Sequence, residues 1–224
     1  MNEIPDFSAV FAKYESLRQS VDSLFEQISR EFKNEVKCAE GCSDCCYAIF
    51  DLSLIEAMYI NKKFTEHFGT GLKRSNILEL ADEADRKAYK FKRQIFKDSK
   101  EGRNSNELIA EAARQRIRCP LLGENDRCLM YAHRPMTCRI YGVPTGIGGA
   151  AHTCGKSGFL SGQEYPTVSM DAVNRRLMEL SREMTEMIPG VYSDLHNVFV
   201  PLSMALMNKY DEEYLGIKRK PEKK

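Results

Sequence analysis

Apolar side chains recur every three or four residues along several stretches of this chain, which is the spacing that places them on one face of an α-helix. The longest stretch predicts a helix over residues 7–36 that leads directly into the first cysteine. The same spacing predicts helices over residues 72–96 and 173–187. Most of the chain is therefore expected to be helical.

Shorter helices are marked by the residues at their ends. Ser53 and Glu56 have the spacing of a capping box, in which the serine accepts from the first turn and the glutamate reaches back, so a helix is expected from there to about His67. Residues 97–104 are polar and predict a flexible connection, after which a short helix leads to Cys119. A last helical segment is predicted over residues 201–210.

Glycine and proline become frequent between residues 119 and 166, and no long helix survives that density of helix breakers. A long irregular segment inside a compact domain needs a cross-link, and the four cysteines of this segment lead us to expect that metal supplies it. The sequence Gly146-Ile147-Gly148-Gly149 is not a phosphate-binding loop, and we expect it to let the backbone approach the metal closely. The predicted fold is a mostly α, helical domain with one irregular, Gly/Pro-rich, cysteine-bearing layer organised by metal.

Length and charge limit the organisation of the chain and its partners. The 224 residues predict a single domain over residues 1–210, with a cysteine-cluster core over 38–154 and a charged flexible tail over 211–224. The net charge of +1 argues against a nucleic-acid partner. The N-terminus lacks the basic and apolar segments of a signal peptide, and no stretch is long and apolar enough to span a membrane. We therefore expect a cytoplasmic protein without a membrane partner.

The cysteines fall in two short windows of the sequence. Structural disulfides are rare in a reducing cytoplasm, where clustered cysteines indicate metal binding instead. Thiolates suit zinc, iron–sulfur clusters and copper(I). The candidate metal ligands are Cys38, Cys42, Cys45, Cys46, Cys119, Cys128, Cys138 and Cys154.

Eight thiolates allow two four-thiolate sites, one cluster of higher nuclearity, or one structural zinc with spare cysteines. In the first window the spacing is Cys38-x3-Cys42-x2-Cys45, and Gly41 lets the backbone bend there. The adjacent residues Cys45 and Cys46 point in different directions. One of them is therefore expected to serve one metal, and the other a second metal or a bridged cluster.

Two arginines and two histidines lie close to the cysteines in the sequence. Arg134 and Arg139 flank Cys138, where a guanidinium group would offset the charge of an anionic cluster and donate to sulfur. Arg139 has the alternative of anchoring a loop carbonyl or a carboxylate. His133 and His152 are candidate ligands, although ordinary surface or hydrogen-bonding roles are more common for histidines in such positions.

The order of these motifs resembles a known family. CxxxCxxCC, followed by CPLL, a single cysteine and YxxRPxxCR, resembles the YkgJ-type cysteine-cluster family of zinc- or iron-chelating domains over residues 38–154. The resemblance implies metal binding through every cysteine except Cys154, which lies in a less regular part of the pattern. A related flagellin lysine N-methylase is associated with an iron–sulfur cluster, which implies an iron–sulfur cofactor here, with zinc as the alternative.

Several functions stay open at the level of sequence. The first is a metal-binding protein whose iron–sulfur or other multinuclear iron or zinc centre has a redox or structural role, with a protein redox partner as one option. The second is an enzyme that uses the cluster, either S-adenosylmethionine-dependent, as the first cysteine spacing suggests, or methyltransferase-like. No alternation of strands and helices suggests a barrel, and no glycine fingerprint follows a strand, which argues against this second function. The third is a zinc or iron carrier.

Overall fold

The structure is a computed structural model that describes residues 4–190 and 192–217, with only the backbone described for Asn106, Ile109, Ala110 and Ala113. Helices dominate it, so the prediction of a mostly α fold is confirmed. The α-helices are α1 (Ser8–Glu31), α2 (Leu54–Phe68), α3 (Leu72–Lys100), α4 (Ser105–Arg114), α5 (Met136–Ile140), α6 (Met170–Glu186) and α7 (Leu202–Met207).

Short strands connect the helices in two small sheets. Strand β1 (Asp51–Ser53) pairs antiparallel with β5 (Phe199–Pro201), with Leu52 opposite Val200. Strands β2 (Thr145–Ile147) and β3 (Ala150–His152) form an antiparallel hairpin, and β2 also pairs in parallel with β4 (Val168–Ser169). Because these two strands are antiparallel, α2 and α7, which directly follow them, begin at opposite ends of this first sheet.

Helix α2 is the centre of the fold. Its residues 54–60 are all buried, which a helix achieves only when other elements cover it on every side. Helices α1 and α6 contact it within one hydrophobic cluster, and α3 and α7 lie around it in a second cluster. None of the helices in the described ranges is long and apolar enough to cross a membrane.

The first turn of α2 is capped differently from the capping box that the sequence predicts. Ser53 precedes the helix as expected, but its side chain does not accept from the first turn. Instead the Ile55 amide donates to the Ser181 hydroxyl of α6 at 3.2 Å. The glutamate half of the box is present, since Glu56 accepts from the Ser53 backbone. A partner distant in sequence has therefore taken over one free amide of the helix end.

Glu56 is a buried carboxylate that joins two helices. It is 5% exposed, its Oε2 accepts from the Ser53 hydroxyl at 3.2 Å, and its Oε1 accepts from the Met136 amide at 3.0 Å. Met136 is the first residue of α5, so the carboxylate satisfies a free amide at that helix's N-terminus. Burial raises the pKa of Glu56 above its usual value of 4.5, although these hydrogen bonds oppose the shift.

Several predicted boundaries move in the structure. Helix α1 ends at Glu31, so residues 32–36, where the sequence predicts continuous helix, form instead the start of a loop that leads to Cys38. Helix α3 extends to Lys100, which makes the first half of the predicted flexible connection its last turn. Folding also continues beyond the predicted tail boundary at residue 211, because Leu215 and Ile217 are buried in the core, and residues 218–224 lie outside the described residues.

The Gly/Pro-rich segment contains only short elements in the described residues, as its sequence predicts. Its own side chains anchor it to the rest of the protein, because Met136, Ile140 and Val143 are buried in the hydrophobic cluster that contains α1 and α6. The Gly158 amide also donates to the Glu35 carbonyl at 2.7 Å. Protein contacts therefore tie this segment down, in addition to any cross-link from metal.

The buried Glu56 carboxyl should give the protein a distinctive dependence of stability on pH. Because its folded pKa is raised, its contribution to stability is fully present below pH 4.5 and is lost as the pH rises through the folded value. Glu56→Gln removes this loss and keeps an oxygen for the Met136 amide. The difference in unfolding free energy, variant minus wild type, should therefore increase as the pH is raised from about 4.5 to about 8. Urea titrations at each pH measure it.

Glu66 on the same helix is the matched control. Its pKa is lowered by the ammonium groups of Lys62 and Lys63, so its contribution to stability is present above its unfolded pKa and is lost on acidification. Glu66→Gln should therefore show a small trend of opposite sign. Parallel pH profiles for the two variants would contradict the assignment.

Candidate metal centre

Backbone hydrogen bonds join the two cysteine windows directly. The Cys119 amide donates to the Cys46 carbonyl at 2.7 Å, and the Ile117 amide donates to the Tyr47 carbonyl at 3.1 Å. Residues 44–47 form a single 3-10 turn, and Gly41 just before it has φ +85°, a conformation that suits glycine, as the sequence predicts. The two windows are therefore paired like short strands, and their sulfurs are brought into one region.

Arg116 adds a side-chain link between the windows. Its Nη2 donates to the Asp44 carboxylate at 2.7 Å and to the Asp44 carbonyl at 3.0 Å, and its guanidinium lies 5.4 Å from the centre of the Tyr47 ring. Burial opposes ionisation of Asp44, but the hydrogen bond and the charge of Arg116, with hydrogen bonds from Tyr141 and Cys154, together outweigh it and lower the pKa of Asp44. Only the tertiary structure reveals this partner of Arg116, because the two residues are far apart in sequence.

Cys138 lies in α5, which two buried groups hold in place. Glu56 accepts from the amide at the helix start, and Arg139 donates to the Asp22 carboxylate at 2.6 and 2.7 Å. Arg139 also donates to the carbonyls of Arg134 at 2.8 Å and Ala132 at 2.6 Å. The guanidinium of Arg139 is thus engaged by oxygen acceptors, which matches the anchoring alternative and not a role as donor to sulfur.

Cys45 is the hub of a buried group of thiols. Hydrogen bonds from the Cys138 and Cys46 thiols lower the pKa of Cys45, because they stabilise its thiolate. The same hydrogen bonds, followed by burial, raise the pKa values of Cys46 and Cys138. Burial raises the pKa of Cys119 to about 12 and also raises that of Cys128, and the charge of Cys45 acts on both. These five sulfurs therefore lie within electrostatic reach of one another.

A second group of thiols lies beside the first. Burial raises the pKa of Cys38, and the nearby Cys42, Cys45 and Cys154 raise it further. The Cys154 thiol donates to the Asp44 carboxylate at 3.6 Å, and burial raises its pKa as well. Cys45 influences both groups, so all eight cysteines form one continuous set, and all eight are free of disulfides.

Arg134 is the arginine whose charge acts on several of these thiols. Its positive charge lowers the pKa values of Cys38, Cys45 and Cys128 against the other influences on them. Its Nε donates to the Tyr131 carbonyl at 3.2 Å, and its guanidinium stacks 3.7 Å from the centre of the Tyr131 ring. Arg134 therefore lies near the thiols, whereas the Arg139 side chain is bound to Asp22 and two carbonyls, and the charge-offsetting role of Arg134 stays a prediction.

The candidate histidines stand apart from the thiols. His152 lies on β3 with its side chain exposed, and His133 packs against Tyr59 with ring centres 6.2 Å apart. Burial, followed by the charges of Arg18 and Lys63, lowers the pKa of His133. The structure therefore brings the cysteines together without either histidine.

A glycine that the sequence did not single out makes the closest approach to the thiols. A Cβ added to Gly142 would lie 3.2 Å from the Cys38 Sγ and closer still to the Cys38 Cβ, so only glycine fits without displacement. Gly148 and Gly149 instead form the turn of the β2–β3 hairpin, with φ of +57° and +79° and open space around them. A Cβ at Gly146, Gly148 or Gly149 would have no thiol among its nearest neighbours within 4 Å, and the close approach of residues 146–149 to the metal stays a prediction.

The donor set fits a soft metal in its chemistry, since thiolates are the preferred protein ligands for zinc and iron–sulfur clusters. Among the described residues, no three Cys, His, Asp or Glu side chains already have the geometry to hold a metal ion. The sulfurs nevertheless lie close enough to influence one another's pKa values.

Comparison with known proteins agrees with this chemistry. The model of the CxxCxxCC family, described as "Putative zinc- or iron-chelating domain", matches residues 37–155, which is more than half of the chain. The chain belongs to this family. The match covers all eight cysteines and both elements of their backbone pairing. No curated protein and no solved structure was found to match.

The spacing of the first two cysteines differs from the one that the family name spells out. The family name has two residues between the first two cysteines, whereas Cys38 and Cys42 are separated by three, one of which is Gly41. The positive φ of Gly41 reverses the chain direction just before Cys42. The extra residue is thus accommodated in a turn, and Cys42 remains in the first window.

Gly142→Ala should disturb the thiol set directly. The new methyl group would push Cys38 away from its present position, because the two Cβ atoms cannot occupy the space available. We expect the variant to retain less metal per chain after purification than wild type, measured by elemental analysis. Gly155→Ala is the matched control, since a Cβ there meets nothing within 4 Å and the residue adjoins Cys154. Equal metal loss in both variants would contradict the role assigned to Gly142.

The Asp22→Asn variant tests whether Arg139 anchors the protein or acts on the metal. The Arg139 side chain is 5% exposed, so loss of its carboxylate partner should lower the unfolding free energy by about 1–3 kcal/mol. Asp82→Asn breaks an exposed pair with Arg86 and should cost less than about 1 kcal/mol. Both variants should keep the wild-type visible spectrum. A spectrum that changes in Asp22→Asn alone would indicate that Arg139 also affects the metal.

Proposed function

We propose that this protein binds a multinuclear metal centre, an iron–sulfur cluster by preference, through its cysteine thiolates in a redox or structural role. The observation that carries the proposal is the continuous set of eight free thiols around Cys45. The ligands would be Cys38, Cys42, Cys45, Cys46, Cys119, Cys128, Cys138 and Cys154.

The number of thiols supports more than one metal ion. A structural zinc takes four ligands in a tetrahedron, and the buried group around Cys45 already offers five sulfurs. Cys45 and Cys46 are adjacent in sequence and both belong to that group, with Cys46 close to Cys119 and Cys128. Several metal ions, bridged within one cluster, would use this arrangement more fully than a single ion.

The charges around the thiols support an anionic centre. Arg134 lies close to Cys38, Cys45 and Cys128, and no carboxylate is bound to its guanidinium among the described contacts. A thiolate-ligated cluster is negatively charged, and its potential depends on nearby charges and donors. In this proposal Arg134 offsets the negative charge, and a protein redox partner would exchange electrons with the cluster.

Protonation of the thiols would couple metal binding to pH. Burial raises the pKa values of Cys38, Cys119, Cys128 and Cys154, so these groups bind protons at neutral pH and must release them to bind metal. Metal affinity should therefore increase as the pH rises. Eight reduced cysteines also suit a reducing compartment, so we propose that the protein acts in the cytoplasm.

Metal analysis of protein purified without oxygen tests the proposal. Iron, zinc and acid-labile sulfide are measured per chain, together with the visible absorption spectrum. We expect iron and sulfide in similar amounts and a brown protein. A colourless protein with zinc and no sulfide would show that the centre is zinc and not an iron–sulfur cluster. A protein without either metal would overturn metal binding altogether.

Single substitutions test whether both groups of thiols contribute. Cys119→Ser removes a buried member of the group around Cys45, and Cys154→Ser removes the thiol that donates to Asp44. We expect both to lower the metal content per chain relative to wild type and to the control Gly155→Ala. Unchanged metal content and stability in Cys154→Ser would remove this residue from the ligand set.

A further inference from the structure

A cavity of about 440 Å³ opens at the thiols, and its lining includes Cys42, Cys45, Cys46, Cys119, Cys128 and Cys138. Sites for small organic molecules typically have volumes of this order, with mostly apolar walls and a few polar groups. A metal held by sulfur lies about 2.3 Å from its ligands, and therefore stays on the thiol side of such a space. Metal binding does not require the rest of the cavity.

One wall of the cavity has no atom that can ligate a metal through thiolate, imidazole or carboxylate. It contains Ala84 and Ala88, which are four residues apart and therefore lie on the same face of α3. Ile60 of α2 and Leu202 of α7 complete this surface. The two alanines are the reason that a hollow exists here, because larger side chains on that face of α3 would fill it.

Two of the basic side chains in the lining are neutralised within the protein. Lys92 donates to both carboxylate oxygens of Asp51, at 2.5 and 2.7 Å. Arg127 lies 2.8 Å from the Glu40 carboxylate. These pairs stand at the cavity and contribute little net charge to it.

Two other guanidinium groups in the lining have no such partner. Arg118 makes no hydrogen bond or ion pair with any other residue in the described part of the chain, and Arg134 contacts only the carbonyl and the ring of Tyr131. The charge of Arg134 acts on Cys38, Cys45 and Cys128, whereas that of Arg118 acts on Cys119. Outside the two pairs, and apart from the cysteines, the lining holds these two guanidinium groups and one carboxylate, that of Asp126.

We propose that this cavity binds a small amphipathic organic carboxylate next to the metal centre. The apolar body lies against Ala84, Ala88 and Leu202, and the carboxylate pairs with Arg118. A guanidinium group presents two parallel N–H donors that match the two oxygens of a carboxylate. Burial of each methylene group favours binding, so affinity should increase with chain length until the cavity is full. This site goes beyond the proposed metal binding, because its apolar wall and Arg118 are not metal ligands.

Calorimetric titration of the full chain, purified with its metal, tests the site with decanoate as the probe. Decanoate should bind with a stoichiometry of one, and at least about tenfold more tightly than the neutral analogue 1-decanol. Hexanoate should bind more weakly than decanoate. Absence of decanoate binding would overturn the proposal, and equal affinities for decanoate and 1-decanol would overturn the part played by the carboxylate.

Variants of the two walls locate the binding. Ala88→Phe fills the hollow and should weaken decanoate binding at least about tenfold, whereas Ala12→Phe, at an exposed position of α1, should leave it unchanged. Arg118→Gln should reduce decanoate affinity about tenfold and leave 1-decanol binding as it is. Arg118 is exposed, so this second variant keeps the test valid if Ala88→Phe does not fold. Wild-type decanoate affinity in both cavity variants would overturn the location.

Metal analysis of the same samples separates this proposal from the proposed function. Ala88→Phe and Arg118→Gln should keep the metal content and visible spectrum of wild type, since neither residue is a ligand. Decanoate binding by a protein that contains no metal would leave the cavity site standing and overturn the metal centre. A protein that contains metal but does not bind decanoate would leave the metal centre standing and overturn the cavity site.

Discussion

The pairing of two distant segments of backbone is the constraint on which the rest of this structure depends. The hydrogen bonds from Cys119 to Cys46 and from Ile117 to Tyr47 place two cysteine windows side by side although they are about seventy residues apart in sequence. The reach of Arg116 to Asp44 follows from that pairing. Because main-chain groups make the contact, the windows can be joined before any metal is bound.

The interior of the protein supports this pairing through helix α2. The helix is buried along its first two turns and begins directly after the first cysteine window and β1. Glu56 in its first turn accepts from the start of α5, which carries Cys138, and Arg139 of α5 is bound to Asp22 of α1. Buried polar groups of this kind are costly unless every partner is present. The position of one cysteine is therefore coupled to the packing of three helices.

Crowded thiols destabilise the metal-free chain, whereas a bound metal would use them as ligands. A buried thiol has its pKa raised because the thiolate loses its hydration, and neighbouring thiolates repel one another. Cys45 avoids part of this cost by accepting hydrogen bonds from Cys46 and Cys138. Metal ions replace those protons and remove the repulsion, so free energy of binding can stabilise the fold. The apolar hollow next to the thiols then offers a place where an organic molecule meets the same centre.

The sequence by itself determined the mostly α class, the long helices close to α1, α3 and α6, and the soft-metal chemistry of the cysteines. Helical periodicity and ligand type are local properties, so a single chain displays them without knowledge of its partners. The family motifs added the zinc or iron class for the same reason. Even the bend at Gly41 was readable, because it depends on one residue's backbone freedom.

Only the tertiary structure decided which residues meet. Arg139 is bound to Asp22, Cys38 packs against Gly142, and the Ser181 hydroxyl accepts from the first turn of α2. Each of these pairs is far apart in sequence. Leu215 and Ile217 fall in the segment that the sequence predicts to be a charged tail, because their burial depends on the hydrophobic cluster that contains α1 and α6. Such pairings are set by the packing of whole helices, and no local pattern of hydrophobic and polar residues records them.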